Sequence, residues 1–342
     1  MKEQTTDYII RKAEPEDVPA ILKLLEQSLG SNPIPRTPEL WSWKHEKNLF
    51  GTSPCLLAEA NGTLVGLRAF LPWRWSYSGD EVRAVRAVDT VTHSQWRGRG
   101  IFSRLTLQLL EDIKRDGASF VFNTPNKYSR PGYLKMGWQD VGRIPVFIRV
   151  LRPLRIATRF LRVNSIDKSG TQPLEGLAAV SDLLEQEGFD DFLTRLYQYE
   201  KRFHTCRSKE YLRWRYAEIP GVDYCALWDF QNDSGAVVIA RSRLRGRLRE
   251  LTLSEILATP DQKGTNMAAA LIGRIAARLN VDYIAACAAP GTMERQILRE
   301  AGFLPFSIPG PRFMVRPLNS SLAPEPTSWD SWRLSIGDLE VF

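Results

Sequence analysis

The feature of this 342-residue sequence that most constrains its fold is a glycine-bearing loop between a strand-like and a helix-like stretch. Residues 84–92 are β-branched and mostly apolar, which predicts a strand buried on both faces. Residues 101–116 carry apolar side chains at helical spacing, and Gly117 follows as a helix C-cap. Between them, Gly98 and Gly100 let backbone amides crowd around a ligand at the start of the helix, where its dipole favours an anion. The stretch therefore predicts an anion-binding loop.

Two common phosphate-binding motifs do not fit this loop. A P-loop requires Gly-Lys-Ser/Thr before the helix, and that sequence is absent here. A dinucleotide fingerprint requires a third glycine where Ser103 stands, and a first glycine close behind the strand. In contrast, residues 95–100, QWRGRG, resemble the Q/R-x-x-G-x-G/A pyrophosphate loop of the GNAT acyl-CoA N-acyltransferases. An ordinary glycine-containing loop between strand and helix is the alternative interpretation.

The predicted order of elements in the first half also resembles this family. Over residues 7–150 it is a strand, two helices, a meander, a helix, a strand, a helix and a closing strand at residues 146–150. Asn61-Gly62 predicts the hairpin turn of the meander. Asn126 and the segment from Tyr133 to Trp138 are similar to the family's N…Y-x-x-x-G-F pattern.

The second half repeats the first, which predicts two tandem GNAT-like domains. The loop at residues 261–266, DQKGTN, keeps only one glycine, and Leu298 stands where the first half has Tyr133. We therefore expect a structural partner there, without a second active site. The predicted fold class is α/β (α+β), with a mixed, mostly antiparallel central sheet flanked by helices in each domain. The predicted boundaries are an N-terminal GNAT domain at 1–150, a basic linker and helix at 151–204, a degenerate GNAT-like domain at 205–318 and a tail at 319–342.

Composition and charge narrow the classes of function. The sequence lacks an apolar run of membrane-spanning length and a signal-peptide pattern, so we expect a cytoplasmic protein. Its four cysteines lack C-x-x-C spacing and its three histidines are dispersed, so we expect reduced thiols and no metal site. The net charge of +7 suits a polyanion such as coenzyme A, and equally acidic lipid or nucleic acid. We expect no nucleic-acid partner.

Two arginine-rich segments have open interpretations. From Arg149 to Arg162, arginines recur at near-helical spacing beside apolar residues, which fits contact with an anionic membrane or another polyanion, or a solvated helix face. From Arg241 to Arg249, arginines alternate along a predicted hairpin, which fits a solvated strand face or a site for an acidic substrate or lipid headgroups. A polar patch at residues 164–173 is predicted to be disordered.

The resemblance implies an acyl-CoA-dependent N-acyltransferase, acting from acetyl-CoA on the primary amine of a small acceptor. The C-terminal W-x-x-x-x-G-D pattern resembles GNAT proteins of bacterial surface-polysaccharide loci, which implies an amino sugar as the acceptor. By the same resemblance Tyr133 protonates the departing thiolate, although core packing is its alternative role. The residues that the resemblance assigns to the acyl-CoA are Val91, Thr92, His93, Gln95, Trp96, Arg97, Gly98, Arg99, Gly100, Ile101, Phe102 and Asn126.

Asp89 is a carboxylate in a strand that otherwise reads as buried, where an unpaired charge is costly. It is either the base that takes the proton of the amine or the ion-pair partner of Arg86 or Arg68. Two other functions stay open for the whole chain. One is a catalytically silent GNAT-like binding module, and the other is an aminoacyl transferase of the peptidoglycan-bridge type. The intact QWRGRG loop counts against the latter.

Overall fold

The computed structural model describes residues 7–29, 34–161, 177–197, 200–306, 310–319 and 324–339. The strands are β1 (Ile9–Lys12), β2 (Cys55–Ala60), β3 (Thr63–Tyr77), β4 (Asp80–Thr92), β5 (Phe120–Asn123), β6 (Gln139–Arg143), β7 (Val146–Val150), β8 (Ala178–Ala179), β9 (His204–Thr205), β10 (Cys225–Gln231), β11 (Ser234–Arg245), β12 (Leu248–Ala258), β13 (Tyr283–Cys287), β14 (Leu304–Pro305) and β15 (Arg312–Pro317). The α-helices are α1 (Val18–Leu29), α2 (Pro38–Trp41), α3 (Ile101–Arg115), α4 (Arg130–Lys135), α5 (Pro153–Leu161), α6 (Val180–Leu184), α7 (Phe189–Arg195), α8 (Lys209–Leu212), α9 (Gln262–Arg278) and α10 (Met293–Glu300).

The chain forms two compact units, each built around a mixed sheet. Unit 1 comprises residues 1–74, 82–140 and 313–323, and unit 2 comprises residues 75–81, 141–312 and 324–342. The first sheet has the order β1-β2-β3-β4-β5-β15-β6, with β9 beside β3, and the second has the order β14-β7-β13-β12-β11-β10-β8. In each sheet an antiparallel meander leads into one parallel pair, β4 with β5 or β12 with β13. The predicted fold class is confirmed.

The strand that closes each half pairs within the sheet of the other half. β7, which we expected to close the first sheet, pairs antiparallel with β13, with Phe147 opposite Ala286. β15 pairs antiparallel with β5 in the first sheet, with Val315 opposite Phe122. The expectation for residues 146–150 was therefore wrong about the sheet. The apolar pattern of a short strand predicts that it pairs, but it does not specify which of two similar sheet edges it pairs with.

Helices pack on both faces of the first sheet. The apolar stripe of α3 (Ile101, Leu105, Leu109 and Ile113) joins Val85 of β4 and Tyr133 of α4 in one core cluster. α1 contributes Ile21, Leu24 and Leu25 to a second cluster, which also holds Trp41 and Val91. In unit 2 a large cluster joins the sheet to α9 and α10 through residues such as Leu271 and Leu298.

The basic linker is partly anchored in unit 2. Arg155 donates to the side chain of Asn280 at 2.8 Å and forms an ion pair with Asp282 at 3.3 Å. Leu154, on the same helix, is 82% exposed. Arg162 and the polar patch at 164–173 lie outside the described residues. Within the part of the chain that the structure describes, no helix is long and apolar enough to cross a membrane.

Candidate active site

The glycine loop leads from the end of β4 into α3. After β4 ends at Thr92, a short 3-10 turn (Ser94–Trp96) precedes Gly98 and Gly100. These glycines have φ values of +80° and +76°, in the left-handed region that glycine tolerates best. Among the described residues, no atom lies within 4 Å of where a Cβ at either glycine would stand, and no side chain caps the first turn of α3. The helix therefore begins with uncovered amides beside open space.

The side chains around this loop supply positive charge and anchor it to the core. Arg97 and Arg99 are exposed, and the Arg99 guanidinium lies 4.4 Å from the centroid of the Trp96 ring. Ile101 is buried in the core, and Phe102 packs beside it. Cations next to uncovered amides are suited to a polyanion such as a pyrophosphate.

Tyr133 lies directly behind the first turn of α3. Its ring is edge-on to Phe102 at 5.3 Å and to Trp138 at 4.9 Å between centroids, and only 2% of the residue is exposed. Its hydroxyl accepts a hydrogen bond of 2.8 Å from Nη1 of Arg68 on β3. The structure thus brings the loop, Phe102 and Tyr133 together.

Asn126 positions the helix that carries Tyr133. Its side-chain oxygen accepts hydrogen bonds of 2.9 Å from the backbone amides of Tyr128 and Ser129, just before α4. The carbonyl of Asn126 also accepts from the amide of Arg130 at 3.1 Å. Such bonds fix the start of a helix. The amide oxygen of Asn126 is therefore engaged within the protein.

Asp89 marks an irregularity in the central strand β4. Val85 packs in the cluster of α3, whereas Val91 packs in the cluster of α1. Residues an even number apart share one face of a regular strand, so the alternation reverses between these two valines. Asp89 has φ +36°, a strained value for a non-glycine residue. The irregularity places Asp89 against residues that follow α2.

The partners of Asp89 are Lys44 and His45, at 2.6 Å and 2.8 Å from Oδ2. The expected partners, Arg68 and Arg86, contact Tyr133 and Thr124 instead. The short helix α2 ends at Trp41 and continues as a π-helical turn, Ser42–Glu46, which holds both partners. Sequence analysis missed this cluster.

Burial and charge set the protonation of this cluster. Burial acts to raise the pKa of Asp89, but the Lys44 ammonium and the hydrogen bond from His45 outweigh it, so the pKa lies below its ordinary value. Burial lowers the pKa of His45, although Asp89 acts in the opposite direction. The cluster is therefore a carboxylate beside an ammonium and a neutral imidazole at neutral pH.

The second half contains an equivalent contact. Asp89 and Glu255 occupy equivalent positions relative to the parallel strand pair of each sheet. Asp89 stands five residues after Ala84, which pairs with Phe120. Glu255 stands five residues after Glu250, which pairs with Tyr283. Tyr216, from the π-helical turn after α8, donates to Glu255 at 2.6 Å. A carboxylate bonded to a π-helical turn is therefore common to both halves.

The features of a cofactor site are not repeated in the second half. The carboxylate of Asp261 caps α9, accepting from the amide of Gly264 at 2.7 Å. A Cβ at Gly264 would lie 2.5 Å from the carbonyl oxygen of Thr259, so this glycine serves close packing. Leu298, at the position of Tyr133, is fully buried in the core. The amides that α3 leaves uncovered are engaged here by the protein itself.

The remaining predicted residues lie at the end of β4. Val91 is buried toward α1, and Thr92 is half-buried. The backbone amide of His93 donates to the carbonyl of Val65 on β3 at 2.9 Å, which ties the loop to the neighbouring strand. Among the described residues, no cluster of His, Cys, Asp and Glu is arranged to hold a metal ion.

In unit 1, an uncovered helix N-terminus follows a distorted central strand in a mixed sheet. Residues 9–141 match the family model described as an acetyltransferase (GNAT) domain. Residues 9–141 therefore form a GNAT-type domain, and the second sheet repeats the topology of the first over the later part of the chain. No curated protein sequence matches the chain.

Solved structures share this fold over more than nine-tenths of the chain. A probable N-acyltransferase from Enterococcus faecalis, described as a conserved protein of unknown function, is 11% identical with a TM-score of 0.62, covering 92% of this chain and 73% of that one. A GCN5-related N-acetyltransferase from Anabaena variabilis is 15% identical with a TM-score of 0.62, covering 91% and 73%. Saccharomyces cerevisiae N-myristoyltransferase with bound myristoyl-CoA is 12% identical with a TM-score of 0.53, covering 92% and 84%.

Proposed function

We propose that unit 1 transfers an acetyl group from acetyl-CoA to the primary amine of a small acceptor, such as an amino sugar. The observation that carries this proposal is the uncapped start of α3, with two left-handed glycines, directly in front of the buried Tyr133 hydroxyl. An anion site can hold the pyrophosphate of an acyl-CoA, and a proton donor beside it can protonate the departing thiolate.

Each part of the site has a proposed role. The amides of residues 95–100 hold the pyrophosphate, and the exposed Arg97 and Arg99 balance its charge. The pantetheine runs along the end of β4, beside Val91, Thr92 and His93. Tyr133 gives its proton to the sulfur as the bond between the carbonyl carbon and sulfur breaks. The acceptor assignment rests on the resemblance of residues 332–338 to GNAT proteins of surface-polysaccharide loci.

The proposal is tested by release of free coenzyme A thiol from acetyl-CoA in the presence of a panel of amines that includes amino sugars. Propionyl-CoA and myristoyl-CoA, run in parallel, define the acyl group. Binding of acetyl-CoA without turnover for any amine would contradict the enzyme assignment and favour a binding module.

Tyr133→Phe tests the acid. The variant keeps the ring packing and removes the hydroxyl, so kcat should fall on the order of 10²-fold. Tyr128→Phe is the matched control, because Tyr128 lies just before the same helix and is 81% exposed. Full activity of Tyr133→Phe would return Tyr133 to a packing role.

A further inference from the structure

Arg68 is a fully buried cation whose hydrogen-bonding capacity is mostly unused. It lies on β3 with no exposed surface, and Nη1 donates to the Tyr133 hydroxyl at 2.8 Å. Its Nε and Nη2 have no hydrogen-bond partner among the described residues. The guanidinium lies over aromatic rings instead, 4.6 Å from the centroid of Phe70 and 5.4 Å from that of Tyr133. Burial of a charge with so few hydrogen-bond partners destabilises a fold, so a functional reason for Arg68 is expected.

The contact also fixes the direction of the Tyr133 proton. A guanidinium can only donate hydrogen bonds, so the phenol oxygen is the acceptor here and its own hydrogen points elsewhere. No acceptor for that hydrogen is found within the described ranges. Arg68 therefore holds the phenol so that its proton is available to a ligand.

We propose that Arg68 is the positioning residue for Tyr133, and that its charge stabilises the phenolate formed when Tyr133 gives up its proton. This inference rests on the proposed function. The amine nitrogen forms a bond to the thioester carbon, and the bond from carbon to sulfur breaks with its electron pair on sulfur. The Tyr133 proton moves to that sulfur, which leaves as a thiol, and the tyrosine becomes a phenolate. The proton lost by the amine nitrogen later restores the phenol.

The arrangement is suited to charge that appears only during the reaction. A phenolate among Phe102 and Trp138 is poorly solvated, and a guanidinium fixed 2.8 Å away supplies the missing stabilisation. The described residues give Nε and Nη2 of Arg68 no carboxylate partner. An interaction that strengthens only during the reaction raises kcat rather than substrate affinity.

The test compares Arg68→Met, Tyr133→Phe and the double variant in acyl transfer. Arg68→Met should lower kcat on the order of 10²-fold and leave KM for acetyl-CoA nearly unchanged. Because Arg68 acts through Tyr133, the double variant should be no slower than Tyr133→Phe alone.

Arg68→Lys keeps the charge and should retain part of the activity. If thermal unfolding shows that the methionine variant does not fold, the partial loss of kcat in Arg68→Lys should vanish in the Tyr133→Phe background, which carries the same test. Wild-type kcat in folded Arg68→Met, or losses that multiply in the double variant, would overturn the role of Arg68. Absence of turnover in the wild-type protein would instead overturn the proposed function, so the two failures are distinguishable.

Discussion

Replacing Asp89 by asparagine should destabilise unit 1 strongly, because it leaves the Lys44 ammonium without its carboxylate. Lys44 is 4% exposed, and its Nζ lies 2.6 Å from Oδ2 of Asp89. Removing one member of a buried ion pair costs about 3–5 kcal/mol. The Asp89 side chain keeps 18% exposure, so we expect about 3 kcal/mol, at the lower end of that range. The oxygen of the new asparagine can still accept from Nε2 of His45, so the lost charge dominates the effect.

The assay is urea unfolding at pH 7, followed by acyl transfer under native conditions. The double variant Lys44→Met, Asp89→Asn removes both charges, and such replacements are often neutral or stabilising. We expect its stability to return to within about 1 kcal/mol of the wild type. We also expect the double variant to be active. The equivalent contact of Tyr216 with Glu255 occurs in the half that lacks the tyrosine acid, so this kind of contact does not depend on catalysis.

Two results would refute this reasoning. Wild-type stability of Asp89→Asn would show that the ion pair contributes nothing. A double variant that is stable but slower by 10²-fold or more would give Asp89 the role of the base. The double variant therefore decides between the base role and the structural ion pair of Asp89.

Three further predictions concern cofactor binding, pH and the linker. In calorimetry the wild type should bind one acetyl-CoA per chain, and Gly98→Glu should abolish this binding in a folded protein. Two equivalent sites, or one site that survives Gly98→Glu, would show that the second half binds acetyl-CoA. Burial lowers the pKa of His204 from 6.5 to about 4, so the unfolded chain takes up the proton first as pH falls. Acidification from pH 7 to pH 5 should therefore lower the free energy of unfolding by about 2 kcal/mol through this residue, and His204→Gln should lack that part of the loss. If the segment from Arg149 to Arg162 contacts membrane, the protein should co-sediment with acidic liposomes at low salt but not at moderate salt, and Leu154→Glu should reduce the sedimentation. Absence of sedimentation at low salt would leave the segment a solvated helix face.

The sequence by itself determined the features that rest on local pattern. The strand before residue 92, the glycine loop at Gly98 and Gly100 and the amphipathic helix behind it all follow from residues close together in the chain. The tandem repeat followed from comparing one half with the other, and it predicted the fold class correctly. Such patterns are readable because glycine freedom and apolar periodicity act within a few residues.

Only the tertiary structure decided which distant groups meet. Asp89 pairs with His45, 44 residues earlier, and Arg68 reaches Tyr133 across 65 residues. The exchange of β7 and β15 between the two sheets was likewise absent from any local pattern. The reason is physical. A carboxylate in a buried strand predicts that a partner exists, but which of the chain's 46 lysines and arginines is that partner depends on how the strands and helices pack.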